Sequence, residues 1–239
     1  MKTVIILAAG VGSRLRPITD ELPKSIVPVN GVPLLSRFLM QVKSSSVKTR
    51  VVVVAGYLSN QISDLVSGFQ ATTNSSIQVI VNKDYETTNN MESCRIALEA
   101  GDFGDCIIVN ADCIYDDEIV LDMIASNYSC VATDSGKYND ENMKVLVKKG
   151  HVYEISKNLP EQEGVNTSID LYHFVKSDVD RLLKIMQGFY HRSDLEKWNE
   201  VAINELVKSS SIKTKDFIGR RWMEIDNLED LKVAEDLFL

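Results

Sequence analysis

Between Leu7 and Lys24 the chain assembles the parts of a phosphate site. It reads Leu7-Ala8-Ala9-Gly10-Val11-Gly12-Ser13-Arg14-Leu15-Arg16-Pro17, and Pro23-Lys24 follows. Small residues let a backbone approach a bound group closely, and successive N–H groups in such a turn form an anion nest. Arg14 and Lys24 add charge-assisted donors suited to phosphate oxygens. This points to a nucleotide, but not through the two commonest loops. A dinucleotide fingerprint carries a third glycine where Leu15 stands, and Pro17 blocks the helix that should open there. A P-loop needs a Gly-Lys-Ser/Thr run that does not occur here. An ordinary strand–turn–helix would need neither the arginine nor the lysine.

Two carboxylates are candidates to meet those phosphates. Open α/β sheets bind ligands at the carboxyl ends of their strands, and the apolar stretch 107–109 runs into Asn110-Ala111-Asp112. A carboxylate there suits Mg²⁺, which takes oxygen ligands shared with substrate phosphates, although a lone Asp at a strand end is also a common turn residue. The tail, Trp222-Met223-Glu224-Ile225-Asp226-Asn227, carries the second candidate, Asp226. Its competing role is to cap the last helix, which Asn227 can do instead. A polar segment, Asn82-Lys83-Asp84-Tyr85-Glu86-Thr87-Thr88-Asn89-Asn90-Met91-Glu92-Ser93, offers the mixed donors and acceptors that reading a base edge requires.

These segments resemble the sugar-phosphate nucleotidyltransferase superfamily, whose signature runs L-A-A-G-x-G-S/T-R-L-x-P and then P-K. Leu15, Pro17, Thr19, Pro23 and Lys24 all fit. The N-x-x-Y-x-x-T-N-N-x-x-S loop, the M-K-V and E-I-S-K elements (Met143-Lys144-Val145, Glu154-Ile155-Ser156-Lys157) and the W-x-E-I-D tail are similar to the bacterial phosphocholine cytidylyltransferase-like, CTP-dependent subgroup. The resemblance implies a Rossmann-like fold and transfer of CMP from CTP to a small phosphorylated metabolite, with release of pyrophosphate. It implies Mg²⁺ on Asp112 and Asp226, with Arg14 and Lys24 on the donor phosphates. Leu7, Ala8, Ala9, Gly10, Gly12 and Ser13 would line the nucleotide, and Asn82, Thr88, Asn89, Asn90 and Ser93 the base. Lys144 and Lys157 would hold the acceptor's phosphate. Candidate acceptors are phosphocholine, phosphoethanolamine or a phosphonate, an inositol phosphate, and a phosphorylated amino acid or amide. A UTP- or dTTP-dependent sugar-1-phosphate enzyme and a catalytically silent regulatory subunit are the alternatives. The biological setting would be the supply of precursors for a surface polysaccharide or lipid.

For the acceptor's other end two readings stay open. Tyr138, Tyr153, Tyr172, Tyr190 and Trp198 could supply a cation–π box, against their ordinary roles in core and rim. Asp170 and Glu200 could instead meet an amino group. Alternation puts Lys144 opposite Met143 and Val145, without deciding which face meets the cleft.

The elements that must position these groups read as an α/β fold with a doubly wound, mostly parallel sheet. Val/Ile-rich runs at 4–7, 51–55, 77–81, 107–109 and 130–132 are continuous, as in strands covered on both faces. Amphipathic stretches alternate with them. Leu34, Leu35, Phe38, Leu39 and Val42 follow Pro33; Ile62, Leu65, Val66 and Phe69 follow Ser59; Ile119, Val120, Met123 and Ile124 follow an acidic first turn. Beyond residue 140 a β-hairpin is expected at 143–147 and 151–155 and a strand at 166–174. Helices are expected at 178–186 and 195–207, then a strand at 222–225 and a final helix from Asn227. One domain over 1–239 is expected, with a nucleotide-binding half (1–135), an acceptor-side half (136–215) and a tail (216–239) that returns a metal ligand.

Composition narrows the alternatives. A chain of 239 residues can bury a sizeable core. Its net charge of −8 argues against a nucleic-acid partner, which calls for a basic face. No run approaches a membrane span, and no signal peptide opens the chain. Cys94, Cys106, Cys113 and Cys130 lack C-x-x-C spacing, and three scattered histidines suggest no zinc site. A cytoplasmic location with reduced thiols is expected. Oligomeric state is left open, a homodimer included.

Overall fold

Strands rich in Val and Ile build the centre of the molecule, because their branched side chains pack on both faces of a pleated surface. A computed structural model describes residues 1–73 and 76–239. The first part of the chain runs β1 (Lys2–Ala8), α1 (Ile18–Glu21), β2 (Pro28–Val29), β3 (Val32–Pro33), α2 (Leu34–Ser44), β4 (Thr49–Ala55), α3 (Ser59–Thr73) and β5 (Ile77–Val81). It continues through α4 (Asn90–Glu99), β6 (Cys106–Asn110), β7 (Cys113–Tyr115), α5 (Asp117–Ala125) and β8 (Cys130–Asp134). The remainder is β9 (Lys144–Lys148), β10 (His151–Ser156), β11 (Val165–Phe174), α6 (Lys176–His191), α7 (Asn199–Val207), β12 (Lys213–Asp216), β13 (Trp222–Glu224) and α8 (Leu228–Leu237).

Nine strands form one sheet in the order β5-β4-β1-β6-β11-β8-β12-β10-β9. The four strands from β5 to β6 are mutually parallel, whereas β11 lies antiparallel to both β6 and β8. The continuous parallel ladder is therefore confined to β5, β4, β1 and β6, and the later strands join through the antiparallel β11, the β9–β10 hairpin and β12, which pairs with β8. Alternate residues of the central strands feed opposite layers. Val4, Ile6 and Val53 pack against Phe38, Ile62 and Met123 on one face. Ile5, Leu7, Val52 and Val54 pack against Met91, Leu98, Leu182 and Ile203 on the other.

The direction of strand addition reverses at β1: β4 and β5 are added on one side and β6 on the other. Such a switch point opens a crevice at the strand ends. The Ala111 N–H donates to the Leu7 carbonyl at 3.0 Å, so the ends of β1 and β6 are held side by side.

The polar runs hid several elements. The short β7 and β13 form a separate two-stranded ladder, with Glu224 opposite Cys113, and the Ile225 N–H donates to the Asp112 carbonyl at 2.9 Å. The strand expected at 222–225 accordingly ends at Glu224. The helix expected from 195 starts only at Asn199, because 195–198 passes along the polar loop 82–93, where the Leu195 carbonyl accepts from the Asn89 N–H at 3.0 Å. β12, Lys213–Asp216, has no apolar alternation to betray it and runs parallel to β8. No helix among the described residues is long and apolar enough to cross a membrane.

A third apolar cluster ties the tail to the N-terminal loop: Leu15, Val29, Leu34, Ile114, Ile225 and Ala234. Ile225 is fully buried there. Ile225→Ala is expected to cost about 2–5 kcal/mol, read as a lower denaturant midpoint at unchanged slope. A loss under about 1 kcal/mol would show that the tail is not anchored through this side chain.

Candidate active site

The loop after β1 closes on its own lysine. Gly12 has φ of +67°, and a Cβ built there would lie 2.7 Å from the Cβ of Lys24. Glycine is thus required twice over, for the left-handed backbone and for the passage of Lys24. Thr19 Oγ1 and the Leu15 N–H both donate to the Gly12 carbonyl, at 2.8 and 2.9 Å, and fix the turn. Gly10 faces open space. Leu7, Ala9 and Gly10 line a cavity of about 440 Å³. Ala8, expected to line it too, packs in the core of the opposite face, as strand alternation demands.

Lys24 Nζ sits 2.8 Å from Asp112 Oδ2 and 2.6 Å from Asp226 Oδ1, and Arg14 Nη2 lies 2.7 Å from Asp226 Oδ2. Carboxyls 114 residues apart in the chain are thereby joined, the β7–β13 ladder having brought their backbones together. Asn227 caps α8 in a capping box with Asp230, which leaves the Asp226 carboxyl free for the cleft. Glu224 is the third acid: Asp112, Glu224 and Asp226 can each offer an oxygen within 4.8 Å of the others. Three hard oxygen donors beside the loop that carries Arg14 are of the kind that Mg²⁺ takes. Sequence reasoning passed over Glu224, yet residues i and i+2 of an extended segment face the same way, and that signal was there to be read.

Charge in this cluster is sharply unequal. Burial opposes the charged form of Lys24, but Asp112 and Asp226 outweigh it and hold the ammonium well above its ordinary range. Burial likewise opposes the Asp226 carboxylate, and Lys24 and Arg14 outweigh it and lower its pKa. Glu224 lacks an ion-pair partner among the described residues. Burial, with repulsion from Asp170, Asp112 and Asp226, pushes it up to about 9, and Asn142 Nδ2 donates to it at 3.2 Å.

The polar loop forms the second wall. Asn82 is buried and its amide is fully engaged: Nδ2 donates to Thr88 Oγ1 and Ser93 Oγ, both at 3.1 Å, while Oδ1 accepts from the Asp84 N–H at 3.0 Å. Asn82 thus shapes the loop with Thr88 and Ser93. Asn89 caps α4 through Oδ1, which leaves its Nδ2 donors without a partner among the described residues at the cavity wall. Asn90 links this loop to the acceptor side, since its Oδ1 accepts from the Asn199 N–H at 2.9 Å.

Beyond lies an acidic end. Asp170, Glu200, Lys157 and Trp198 line the same cavity. Asp170 occupies a bulge of β11 with φ of +55°. Tyr172 Oη is 2.5 Å from Glu200 Oε1 and 3.2 Å from Asp170 Oδ1. Burial, then repulsion from Glu200 and Asp112, pushes Asp170 up to about 7, and burial raises Glu200 as well. Lys144, the other expected acceptor lysine, is turned away. Met143 lines the cavity, so alternation sends Lys144 into the interior, where its Nζ donates to the Asn139 and Asp140 carbonyls at 3.2 and 2.9 Å. Among the five aromatics considered for a cation box, Trp198 alone reaches the cavity wall. No histidine lines it. The four cysteines are buried, and burial raises every thiol pKa, Cys106 to about 12.

Comparison with known proteins gives this geometry a context. Residues 4–184 match the MobA-like NTP transferase domain. The bifunctional IPC transferase and DIPP synthase of Aquifex aeolicus is 28% identical over 98% of this chain, which spans about half (51%) of that protein. The choline-phosphate cytidylyltransferase of Haemophilus influenzae is 27% identical over 95% of this chain and 93% of its own length. The 2-aminoethylphosphonate cytidylyltransferase of Lancefieldella rimae is 24% identical, with coverages of 95% and 89%. In fold, the CTP:phosphocholine cytidylyltransferase of Streptococcus pneumoniae superposes with a TM-score of 0.82 at 20% identity, covering 100% of both chains.

The raised pKa of Asp170 gives a pH signature for the ligand-free protein. Its native carboxyl keeps a proton that the unfolded chain, near its ordinary value of 3.8, has already lost. Its contribution to stability is therefore full below about pH 4 and is lost as pH rises to about 7. Asp170→Asn is expected to melt a few degrees higher than the wild type at pH 8 and with no such gain at pH 4. An equal difference at both pH values would show that ionisation of Asp170 is not the cause.

Proposed function

Since the chain belongs to the MobA-like NTP transferase family and is a nucleotidyltransferase, we propose that it uses CTP and Mg²⁺ to transfer CMP onto a small phosphorylated or phosphonate metabolite. The observation that carries the reading is the convergence of Arg14 and Lys24 with Asp112, Glu224 and Asp226 at one end of a cavity whose other end is open to a second substrate. The relatives named for choline phosphate and 2-aminoethylphosphonate support cytosine as the base and a short phosphorus-bearing acceptor. A silent regulatory copy would be free to lose any of these five charged side chains, and all five are present.

An acceptor phosphate oxygen attacks the α-phosphorus of CTP, the α–β P–O bond breaks, and pyrophosphate leaves with the bonding pair. A phosphate monoester has its second pKa near ~6 and is largely a dianion at neutral pH, so the attacking oxygen needs no general base. The absence of histidine from the cavity wall accords with that. Rate must then come from positioning and from stabilisation of charge. Lys24, held over the cleft by Asp112 and Asp226, is the cation for the α-phosphate. Arg14, exposed at the rim, serves the departing β- and γ-phosphates. Asp112, Asp226 and Glu224 would hold Mg²⁺, which when bound neutralises charge on the donor phosphates. Leu7, Ala9 and Gly10 give the nucleotide an apolar, close-fitting floor, and the free Nδ2 of Asn89 offers donors to the base. Lys157 is the remaining exposed lysine at the acceptor's end of the wall.

The test is pyrophosphate release with Mg²⁺, offering CTP, UTP, dTTP, ATP and GTP against phosphocholine, phosphoethanolamine, 2-aminoethylphosphonate, inositol phosphate and glucose 1-phosphate. CTP is expected to be preferred, and Asp112→Asn to lose at least ~100-fold in turnover with its melting temperature retained. A preference for UTP or dTTP with glucose 1-phosphate would replace the reading, and full activity of Asp112→Asn would remove that residue from the metal site. Glu224→Gln is expected to raise the Mg²⁺ concentration for half-maximal rate by about tenfold or more. An unchanged Mg²⁺ requirement would exclude Glu224 as a ligand.

A further inference from the structure

The cavity holds two carboxylates that the phosphate end does not explain. Glu200 is 3% exposed and still contributes to the cavity wall. Neither Glu200 nor Asp170 has an ion-pair partner among the described residues. The cation that acts on Glu200 is Lys157, which rests over the Trp198 ring at 5.3 Å from its centroid. Their protein donors are few: the single Tyr172 hydroxyl proton stands between the two, the Glu200 backbone N–H donates to its own carboxylate, Ser168 Oγ lies 3.3 Å from Asp170 Oδ1, and Asn110 Nδ2 lies 3.3 Å from Asp170 Oδ2. Acids sunk in a cleft without a counter-ion are costly unless a cation completes them. Arg14 and Lys24 are already paired with Asp112 and Asp226, so in a transferase cavity the cation that Glu200 and Asp170 lack belongs to the acceptor.

We propose that Glu200 and Asp170, bridged by Tyr172, form an ammonium subsite that selects acceptors bearing an N–H amine over neutral tails and over quaternary ammonium groups. This rests on the nucleotidyl-transfer reading and names the acceptor class for the same cavity. A primary ammonium brings three donors, which match carboxylate oxygens, together with the charge that neutralises them. A hydroxyl would fill the hydrogen bonds and leave the charge uncompensated. A quaternary group has no donor and depends on aromatic faces. Only Tyr85 and Trp198 supply rings to the wall: Tyr85 lies in the base loop, and the Trp198 face already carries Lys157. Glu200 and Asp170 act here by binding, and Tyr172 by positioning them.

The test compares kcat/KM with CTP for phosphoethanolamine, phosphocholine and ethyl phosphate, alongside calorimetric binding of CTP alone. Phosphoethanolamine is expected to exceed ethyl phosphate by about 100-fold and phosphocholine by about tenfold. In Glu200→Gln the first ratio should collapse to about threefold or less through KM, with CTP affinity unchanged. Tyr172→Phe should lower the same ratio, and it provides a second probe should the first variant fold poorly. Phosphocholine or ethyl phosphate used as well as phosphoethanolamine would overturn the ammonium subsite and leave the donor reading intact, as would a ratio that Glu200→Gln and Tyr172→Phe leave unmoved. Failure to bind CTP would instead remove the donor reading, and the subsite with it.

Discussion

Three carboxylates gathered within 4.8 Å of one another are the constraint around which the rest of this fold is arranged. At an effective dielectric of about 20, each pair of charges that close repels by about 3 kcal/mol or more. Such a cluster survives only if cations enter it or protons stay on it, and the protein uses both. Lys24 bridges Asp112 and Asp226, Arg14 adds to Asp226, and Glu224 keeps a proton to about pH 9. Lys24 reaches that position only because Gly12 lacks a side chain. The tail reaches it only because β13 pairs with β7 and Ile225 is buried against Leu15 and Ile114. Local backbone, a two-stranded ladder and a small apolar cluster thus all serve one electrostatic arrangement.

The same logic, with the opposite outcome, operates alongside at Asp170 and Glu200, where no cation among the described residues pairs with either acid and a single phenolic proton stands between them. Asp170, at a φ of +55° in the β11 bulge, carries the row of acids from Asp112 and Glu224 on toward Glu200 without a cation of its own.

Much of this was legible in the chain. Short Val/Ile-rich runs announced β1, β4, β5, β6 and β8, since their length and branched side chains suit strands rather than helices. The Gly-rich run announced the turn that delivers Arg14 and Lys24 to one place, because few sequences need small residues, an arginine and a lysine so close together. What could not be read were relations between segments. That β11 inserts antiparallel between β6 and β8, and that the polar β12 joins β8, depends on long-range pairing that no local pattern encodes. Lys144 illustrates the difficulty at one residue. Period 2 correctly separated it from Met143, but the choice of face needed the position of the cleft. Ala8 was misplaced for a simpler reason: a motif was read as a contiguous surface when its strand portion alternates.

Asn82 carries the distinction one step further, between belonging to a site and acting in it. It lines the cavity, but its amide hydrogens are committed to Thr88 and Ser93 and its carbonyl oxygen to the Asp84 N–H. An amide so engaged has little left for a base, and its use is to hold the loop so that neighbours can act. Asn89 is the reverse case: its oxygen starts α4 and its nitrogen is unspent. Asn90, bonded to the first residue of α7, then couples the base wall to the helix that carries Glu200. The Asn89 N–H donates in turn to the Leu195 carbonyl, so the polar loop 82–93 is fastened by two hydrogen bonds to the segment that enters α7, and the wall it forms is held in register with the one that carries Glu200.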